Sequence, residues 1–449
     1  MGDNELLSKA EDILRQTVPS MDEDLLQRFV ESCLAHRESL IQLAVEHGSP
    51  LYALDPEGLR ARVRRFRKAF ENRLGPVDIF FAVKSNNMPE ISKIMVEEGV
   101  GLDVSSGMEL EQALKAGATA VFFSGPGKTD SELHAAIEHS DKVTILMDSF
   151  GELERLDHLT RQERTTMRTG VRLTTNPNGL WRKFGIPLTR LAQFIEDARL
   201  APFVQLEGLQ FHTSWNLTPD AQTAFIKDLG HTLLAIPEEL MKSLRFLDIG
   251  GGFWPEQGEW VRAAGTLPGT LRNMLSPDAP DTTSKYLLPS SPIEIFAEQI
   301  AAALQKALPR SFHGRICMEP GRWLSHAALH LLMTVVDVKA EDLVITDAGT
   351  NAVGWERFEL DYFPVINLTR PGLREQPCHV LGSLCTPHDV WGYAYHGSGI
   401  QRGDLLLIPT QGAYTYSLKQ MFIKPLPAVA CLPEPLTLWW PPPSERTLP

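Results

Sequence analysis

Lys84 closes the apolar run Val77–Val83 and is followed at once by Ser85-Asn86-Asn87. A run of apolar and β-branched residues closed by turn residues predicts a buried strand. The lysine then falls at the carboxyl end of that strand, where parallel barrels keep their reactive groups. An amine partly withdrawn from water loses some of its preference for the proton and becomes a nucleophile toward aldehydes. A lysine that merely caps a strand and reaches solvent is the competing use of the same residue.

Other apolar runs end in the same way. Leu206–Phe211 ends at His212, Leu244–Ile249 runs into Gly250-Gly251-Gly252-Phe253, and Arg315–Met318 ends in Glu319-Pro320-Gly321-Arg322. Asp103 and Glu109 accompany a third run, and Arg172 lies within another. A glycine run after a strand lets backbone amides close on a phosphate, although tight turns use the same residues. Glu319 and Arg322 could hold opposite ends of a zwitterionic ligand or form a surface salt bridge. The histidines show no HExxH or His-x-His pattern and the five cysteines no CxxC pair, so no metal site is expected.

These groups need a scaffold. From Leu51 onward, short apolar runs alternate with longer helix-like stretches: Leu51–Leu54, Val77–Val83, Gly101–Ser105, Val121–Ser124, Val143–Met147, Gly170–Leu173, Leu206–His212, Leu244–Ile249 and Arg315–Glu319. This rhythm predicts an α/β chain with a closed (β/α)8 barrel over residues 49–325, an open doubly wound sheet being the competing arrangement. A Pro-, Ser- and Gly-rich stretch at about 254–292 reads as an inserted loop. Residues 1–48 predict a helical extension, residues 326–432 a C-terminal antiparallel β domain, and residues 433–449 a Pro-rich tail. Trp439-Trp440 in that tail reads as exposed, laid on a partner surface.

Composition narrows the function. The net charge of −13 and the pI near 5.5 argue against a nucleic-acid or acidic-membrane partner. No apolar stretch approaches the roughly 18 residues of a membrane helix. Met1–Gln16 carries charges throughout and shows no secretory pattern, so a cytoplasmic location is expected.

Phe81-Ala82-Val83-Lys84-Ser85-Asn86, followed by Asp103-Val104-Ser105-Ser106-Gly107-Met108-Glu109-Leu110, resembles the cofactor-lysine region of the diaminopimelate/ornithine decarboxylase family. Lys183-Phe184-Gly185, Phe211-His212, Gly250-Gly251-Gly252-Phe253, Glu319-Pro320-Gly321-Arg322, Leu384-Cys385 with Asp389, and Gly412-Ala413-Tyr414 follow in the family's order. The resemblance spans roughly residues 50–422. It implies fold type III, pyridoxal 5'-phosphate as cofactor, and a homodimer whose active sites are completed across the subunit interface. Lys84 would bind the cofactor through its amine, His212 would stack on the ring, and Glu319 would pair with the pyridine nitrogen. Gly250, Gly251, Gly252, Gly321, Arg322 and Tyr414 would hold the phosphate. Asp103, Glu109 and Arg172 would support Lys84 and Glu319, and Cys385 would reprotonate the reacting carbon.

Two departures bear on specificity. The family's His-x-Gly-Ser is His212-Thr213-Ser214-Trp215 here, so the phosphate contact would shift to Ser214. The acidic residue that commonly follows the cysteine, and binds a distal ammonium, is Thr386 in Cys385-Thr386-Pro387-His388-Asp389. That loop and Ser124-Gly125-Pro126-Gly127-Lys128-Thr129-Asp130 are similar to the siderophore-pathway branch, which implies a substrate bearing carboxylates, such as a citryl-amino acid. Thr386, His388 and Asp389 would contact it. A decarboxylase of diaminopimelate, ornithine or lysine, a fold-III racemase, and an inactive partner-binding homologue are the alternatives; the intact Lys84, Glu319 and Cys385 argue against the last.

Overall fold

The structure, a computed structural model, describes residues 2–354 and 360–440. In chain order, helices span Asp3–Leu14, Glu23–Leu34 and Arg37–His47, and β1 (Leu51–Leu54) follows. Next come β2 (Val77–Ala82), β3 (Gly101–Val104), β4 (Val121–Phe123), β5 (Val143–Met147), β6 (Met167–Leu173), β7 (Val204–Phe211) and β8 (Phe246–Asp248). A pair, β9 (Glu259–Arg262) and β10 (Lys285–Leu288), precedes β11 (Arg315–Met318). The remaining strands are β12 (Leu329–Ala340), β13 (Leu343–Thr346), β14 (Ile366–Asn367), β15 (Glu375–Leu381), β16 (Val390–His396), β17 (Leu405–Ile408) and β18 (Ala428–Cys431).

Two compact units result. Leu59–Trp254 with Ser291–Leu324 form the first. In it, β2 to β8 and β11 close into a parallel eight-stranded barrel. Side chains alternate across each strand, so every second residue faces the interior. Phe80, Phe122, Leu146, Phe246 and Cys317 pack together as one apolar layer, with the Phe80 and Phe122 rings stacked at 3.7 Å. Bulk at these positions requires its absence elsewhere in the layer. A methyl group on Gly208 would fall 1.9 Å from the Phe246 ring, and one on Gly170 2.8 Å from Leu146.

The second unit comprises the residues before Leu59, Pro255–Ser290, and those after Leu324. Its eight-stranded sheet runs β13-β15-β16-β14-β17-β12-β1-β18. The sheet expected to be antiparallel is mixed, because β1–β18, β13–β15 and β14–β16 pair in parallel. Leu51–Leu54, read from sequence as a barrel strand, lies in this sheet instead. All four of its residues are buried between β12 and β18, so its apolar run fits either setting and only pairing decides. The stretch read as an inserted loop holds the β9–β10 hairpin and a helix, Leu267–Leu275, and Ser20 bridges to Tyr286. The Trp439-Trp440 pair is also corrected. Both rings are partly buried on this unit's own helix Glu23–Leu34, with Trp440 5.2 Å from the Phe29 ring and Arg28 5.4 Å over Trp439. Residues 441–449 of the tail lie outside the described residues.

The barrel unit contains a buried ion pair. Lys128 Nζ lies 2.7 Å from Glu152 Oε1, their side chains are 1% and 2% exposed, and the same amine donates to the Gly125 and Leu146 carbonyls. Removing one partner of such a pair strands the other charge without water. Lys128→Met should therefore destabilise the chain by about 3–5 kcal/mol in urea unfolding. Lys128→Met with Glu152→Leu should recover most of the loss. An unchanged single variant would show that the pair is dispensable.

Candidate active site

The alternation that builds the apolar layer also builds the floor of the site. Two residues beyond Phe122, Leu146, Phe246 and Cys317 stand Ser124, Asp148, Asp248 and Glu319. Two beyond Gly101, Gly170 and Gly208 stand Asp103, Arg172 and Gln210. All seven are buried, and by period they share the barrel's interior face at the carboxyl ends of the strands. Buried polar groups persist only when they answer one another.

Lys84 sits in a single 3-10 turn, Val83–Ser85, just beyond β2, with Ser85 Oγ donating to the Ala82 carbonyl. Its Nζ donates to Asp103 Oδ2 at 3.1 Å, and Ser124 Oγ donates to Asp103 Oδ1 at 2.6 Å. Burial, then the charge of Glu319, pushes Asp103 up to about 6 despite Lys84 and Ser124. Glu109 is buried and accepts from the Ser105 amide at 2.7 Å; burial raises it, and that bond and the charge of Lys84 act against the rise.

Glu319 is 1% exposed. Gln210 Nε2 lies 3.3 and 3.4 Å from its two oxygens, and His212 Nδ1 lies 3.5 Å from Oε2. Burial alone would raise this carboxyl, but His212, the charge of Lys84 and a bond with Asp248 outweigh it and hold Glu319 below the usual range. The Gly251 amide competes for His212 Nδ1 at 3.1 Å. One nitrogen cannot accept from Gly251 and donate to Glu319. Burial lowers the affinity of His212 for a proton, so the shorter contact decides: the ring is neutral, with its hydrogen on Nε2. Lys84 and Asp248 keep Glu319 ionised without it.

The glycine run departs from expectation. The Gly250 amide donates to Asp248 Oδ1 at 2.8 Å and the Gly251 amide to His212, so neither is directed to a phosphate. The Gly252 amide has no protein acceptor among the described residues and is left for that role. Gly252 (φ +83) is required to be glycine, since a methyl group there would lie 2.2 Å from the Thr213 carbonyl. Beside it, Ser214 precedes Trp215, which adopts a left-handed φ of 55. The Arg322 guanidinium lies 4.3 Å over the Trp254 ring, and Arg172 lies 4.6 Å over the Phe184 ring. Gly321 lies in the barrel unit, where a methyl group on it would fall 2.8 Å from the Ser85 side chain; Cys385, Thr386, His388, Asp389 and Tyr414 belong to the second unit. Cys385 and His388 are exposed and Thr386 half-buried, while Tyr414 has a left-handed φ of 56. Asp389 is corrected: it is 2% exposed, and its two oxygens accept from the Thr350 and Leu384 amides at 2.7 Å each. It fixes the Cys385 loop rather than meeting a ligand.

Ser124, Gln210 and Asp248 were missed as site residues. Each is a polar residue within or closing an apolar run, two positions beyond a Phe or Gly, and that spacing was the available signal. The donor set fits a phosphorylated pyridine aldehyde. It offers an amine beside a carboxylate, an ionised Glu319 beneath, a neutral imidazole, and a free amide with a guanidinium for the phosphate.

Asp103 gives a pH test on cofactor-free protein. Its pKa is raised from 3.8 to about 6, so the folded state holds the proton more tightly than the unfolded one. The resulting stability is full below pH 3.8 and is lost as pH rises through 6. Relative to Asp103→Asn, the wild type should lose roughly 1–3 kcal/mol across that window. A flat difference would mean that Lys84 keeps Asp103 ionised throughout.

Comparison with known proteins places this geometry. The family model described as "Pyridoxal-dependent decarboxylase, pyridoxal binding domain" matches residues 58–326. Diaminopimelate decarboxylase of Methanothermobacter thermautotrophicus is 26% identical over 417 residues, covering 86% of this chain and 87% of the relative. The L-glutamyl-[BtrI acyl-carrier protein] decarboxylase of Niallia circulans is 26% identical over 398 residues, covering 82% and 85%. Among solved structures, Helicobacter pylori diaminopimelate decarboxylase complexed with L-lysine gives a TM-score of 0.70 at 22% identity, covering 88% of this chain and 93% of that one. Vibrio vulnificus lysine/ornithine decarboxylase complexed with putrescine gives 0.68 at 23%, covering 88% and 97%. At those identities the structures show the shared fold. The chain belongs to the pyridoxal-dependent decarboxylases: it is an amino-acid decarboxylase that uses pyridoxal 5'-phosphate.

Proposed function

We propose that the substrate is an amino acid lacking a free distal ammonium, either bearing a distal carboxylate or joined to a carboxylate-rich group such as citrate, as in siderophore assembly. The observation that carries this reading is the Cys385 loop. It presents a thiol, the Thr386 hydroxyl and the His388 imidazole, while its single carboxylate, Asp389, is spent on two backbone amides. A distal ammonium would meet no carboxylate of this loop as its counter-ion. The Niallia relative supports the reading, because its name gives an L-glutamyl group carried on a protein rather than a free basic amino acid. The relatives named diaminopimelate decarboxylase favour the second reading, a diaminopimelate, ornithine or lysine substrate.

Roles follow from chemistry. The bound cofactor supplies a protonated ring that accepts the electron pair released as the carboxylate leaves as CO2. Lys84 would anchor the cofactor through its amine, and Asp103, 3.1 Å from Nζ, would hold that amine when it is free as an ammonium. Glu319 keeps the proton on the ring nitrogen, and neutral His212 covers a ring face without adding charge. The Gly252 amide, Ser214 and Arg322 would hold the phosphate. Cys385 returns a proton to the α-carbon. In a homodimer this cysteine comes from the partner subunit.

Carbon dioxide release should be measured with citryl-amino acids, glutamate-like conjugates, diaminopimelate, ornithine and lysine. The acidic conjugates should give the higher kcat/KM. Thr386→Glu should weaken them by ~1–3 kcal/mol, or roughly ten- to a hundredfold, through like-charge repulsion at partial burial. A wild-type preference for diaminopimelate or lysine over every acidic conjugate would overturn the reading.

A further inference from the structure

The floor of the barrel carries more acids than its cations can answer. Asp103, Asp148, Asp248 and Glu319 share it with Arg172, and the amine of Lys84 reaches Asp103 from above. Asp248 and Glu319 are 0% and 1% exposed, and Asp248 stands in register with Cys317, two residues before Glu319, on the adjacent barrel strand. Two neighbouring carboxylates without water cannot both be ionised.

The contacts show where the proton belongs. Asp248 Oδ1 accepts from the Gly250 amide at 2.8 Å, whereas Oδ2 meets no donor. An oxygen facing only acceptors is satisfied by carrying the hydrogen itself. On the neighbouring strand Gln210 stands in register with Asp248, fully buried, and its amide nitrogen is shared between both oxygens of Glu319. Gln210 Oε1 has no donor either. The groups around Asp248 are thus the Cys317 thiol on β11, Glu319 just beyond that strand, Gln210 on β7, the Gly250 amide, and Asp103 farther along the floor.

We propose that Asp248 and Gln210 are positioning residues that confine the floor's negative charge to Glu319, Asp248 donating a retained proton to it and Gln210 donating its amide. Without them the charge would spread over two adjacent acids, and the ring nitrogen of the cofactor would face a mobile proton instead of a fixed carboxylate. Burial first, and then the charge of Glu319, pushes Asp248 well above the ordinary aspartate range, in the direction this assignment requires. The consequence for the cofactor rests on Glu319 as ring-nitrogen partner; the protonation of Asp248 does not.

The test uses the full-length enzyme, with and without pyridoxal phosphate, carrying 13C at its aspartate carboxyls. At pH 8, where Asp103 has lost its proton, one aspartate carboxyl should retain the shift of a protonated acid, and Asp248→Asn should remove that signal. Asparagine reproduces a protonated aspartate in shape and in donor. Asp248→Asn should therefore keep cofactor affinity and kcat within about threefold of wild type, whereas Asp248→Ala and Gln210→Met should each lower kcat at least tenfold with little change in KM. Absence of a protonated aspartate at pH 8 would overturn the assignment, even if the variants fail to fold. If Asp248→Asn is as damaging as Asp248→Ala, the charge on Asp248 is itself required and the proposal falls. A protonated Asp248 with unchanged kcat in Gln210→Met and Asp248→Ala would instead separate the two claims, keeping the proton and refuting the role assigned to Glu319.

Discussion

A carboxylate sealed from solvent must be answered by donors and cations of the protein itself, and at the mouth of this barrel that carboxylate is Glu319. Its ionisation ties together Lys84, Gln210 and Asp248, with His212 Nδ1 3.5 Å from Oε2. Apart from Gln210, each of those groups has a second obligation. Lys84 is engaged by Asp103, Asp103 by Ser124, Asp248 by the Gly250 amide, and His212 by the Gly251 amide. The low local dielectric strengthens every one of these bonds and penalises every gap. The network therefore fixes the loops after β2, β7, β8 and β11 as well as the charges they carry.

The barrel makes this possible through period-two alternation. One interior layer is apolar, built on the Phe80–Phe122 stack and Phe246, and the next is polar. The glycines of the apolar layer make room for its aromatic rings. The same alternation carries each strand from packing to chemistry within two residues. The adjacent glycine loop serves the network too, since Gln222 holds the Gly251 carbonyl while His212 takes its amide. Two amides expected on a phosphate, those of Gly250 and Gly251, are instead spent on Asp248 and His212.

Sequence reading found the barrel strands, because continuous apolar runs closed by turn residues mark them. Lys84, His212 and Glu319 drew notice because each stands where such a run stops, and all three lie at the carboxyl ends of barrel strands. Sequence reading could not assign Leu51–Leu54 to a sheet, since four buried residues carry no record of their partner strand. It took Trp439-Trp440 as exposed because proline-rich surroundings hide the distant surface formed by Phe29 and Arg28. Gln210 and Asp248 were passed over inside runs treated as hydrophobic. Asp389 resembled a ligand residue, but its acceptors are committed to amides more than thirty positions away and within its own loop, a long-range fact that no local pattern encodes.

The account stands on Lys84 as the residue that holds the cofactor. Borohydride reduction of the enzyme loaded with pyridoxal phosphate, followed by peptide mapping, tests it most directly. A single pyridoxyl adduct on Lys84 is the predicted result. An adduct on Lys128 or Lys183, with Lys84 unmodified, would contradict it.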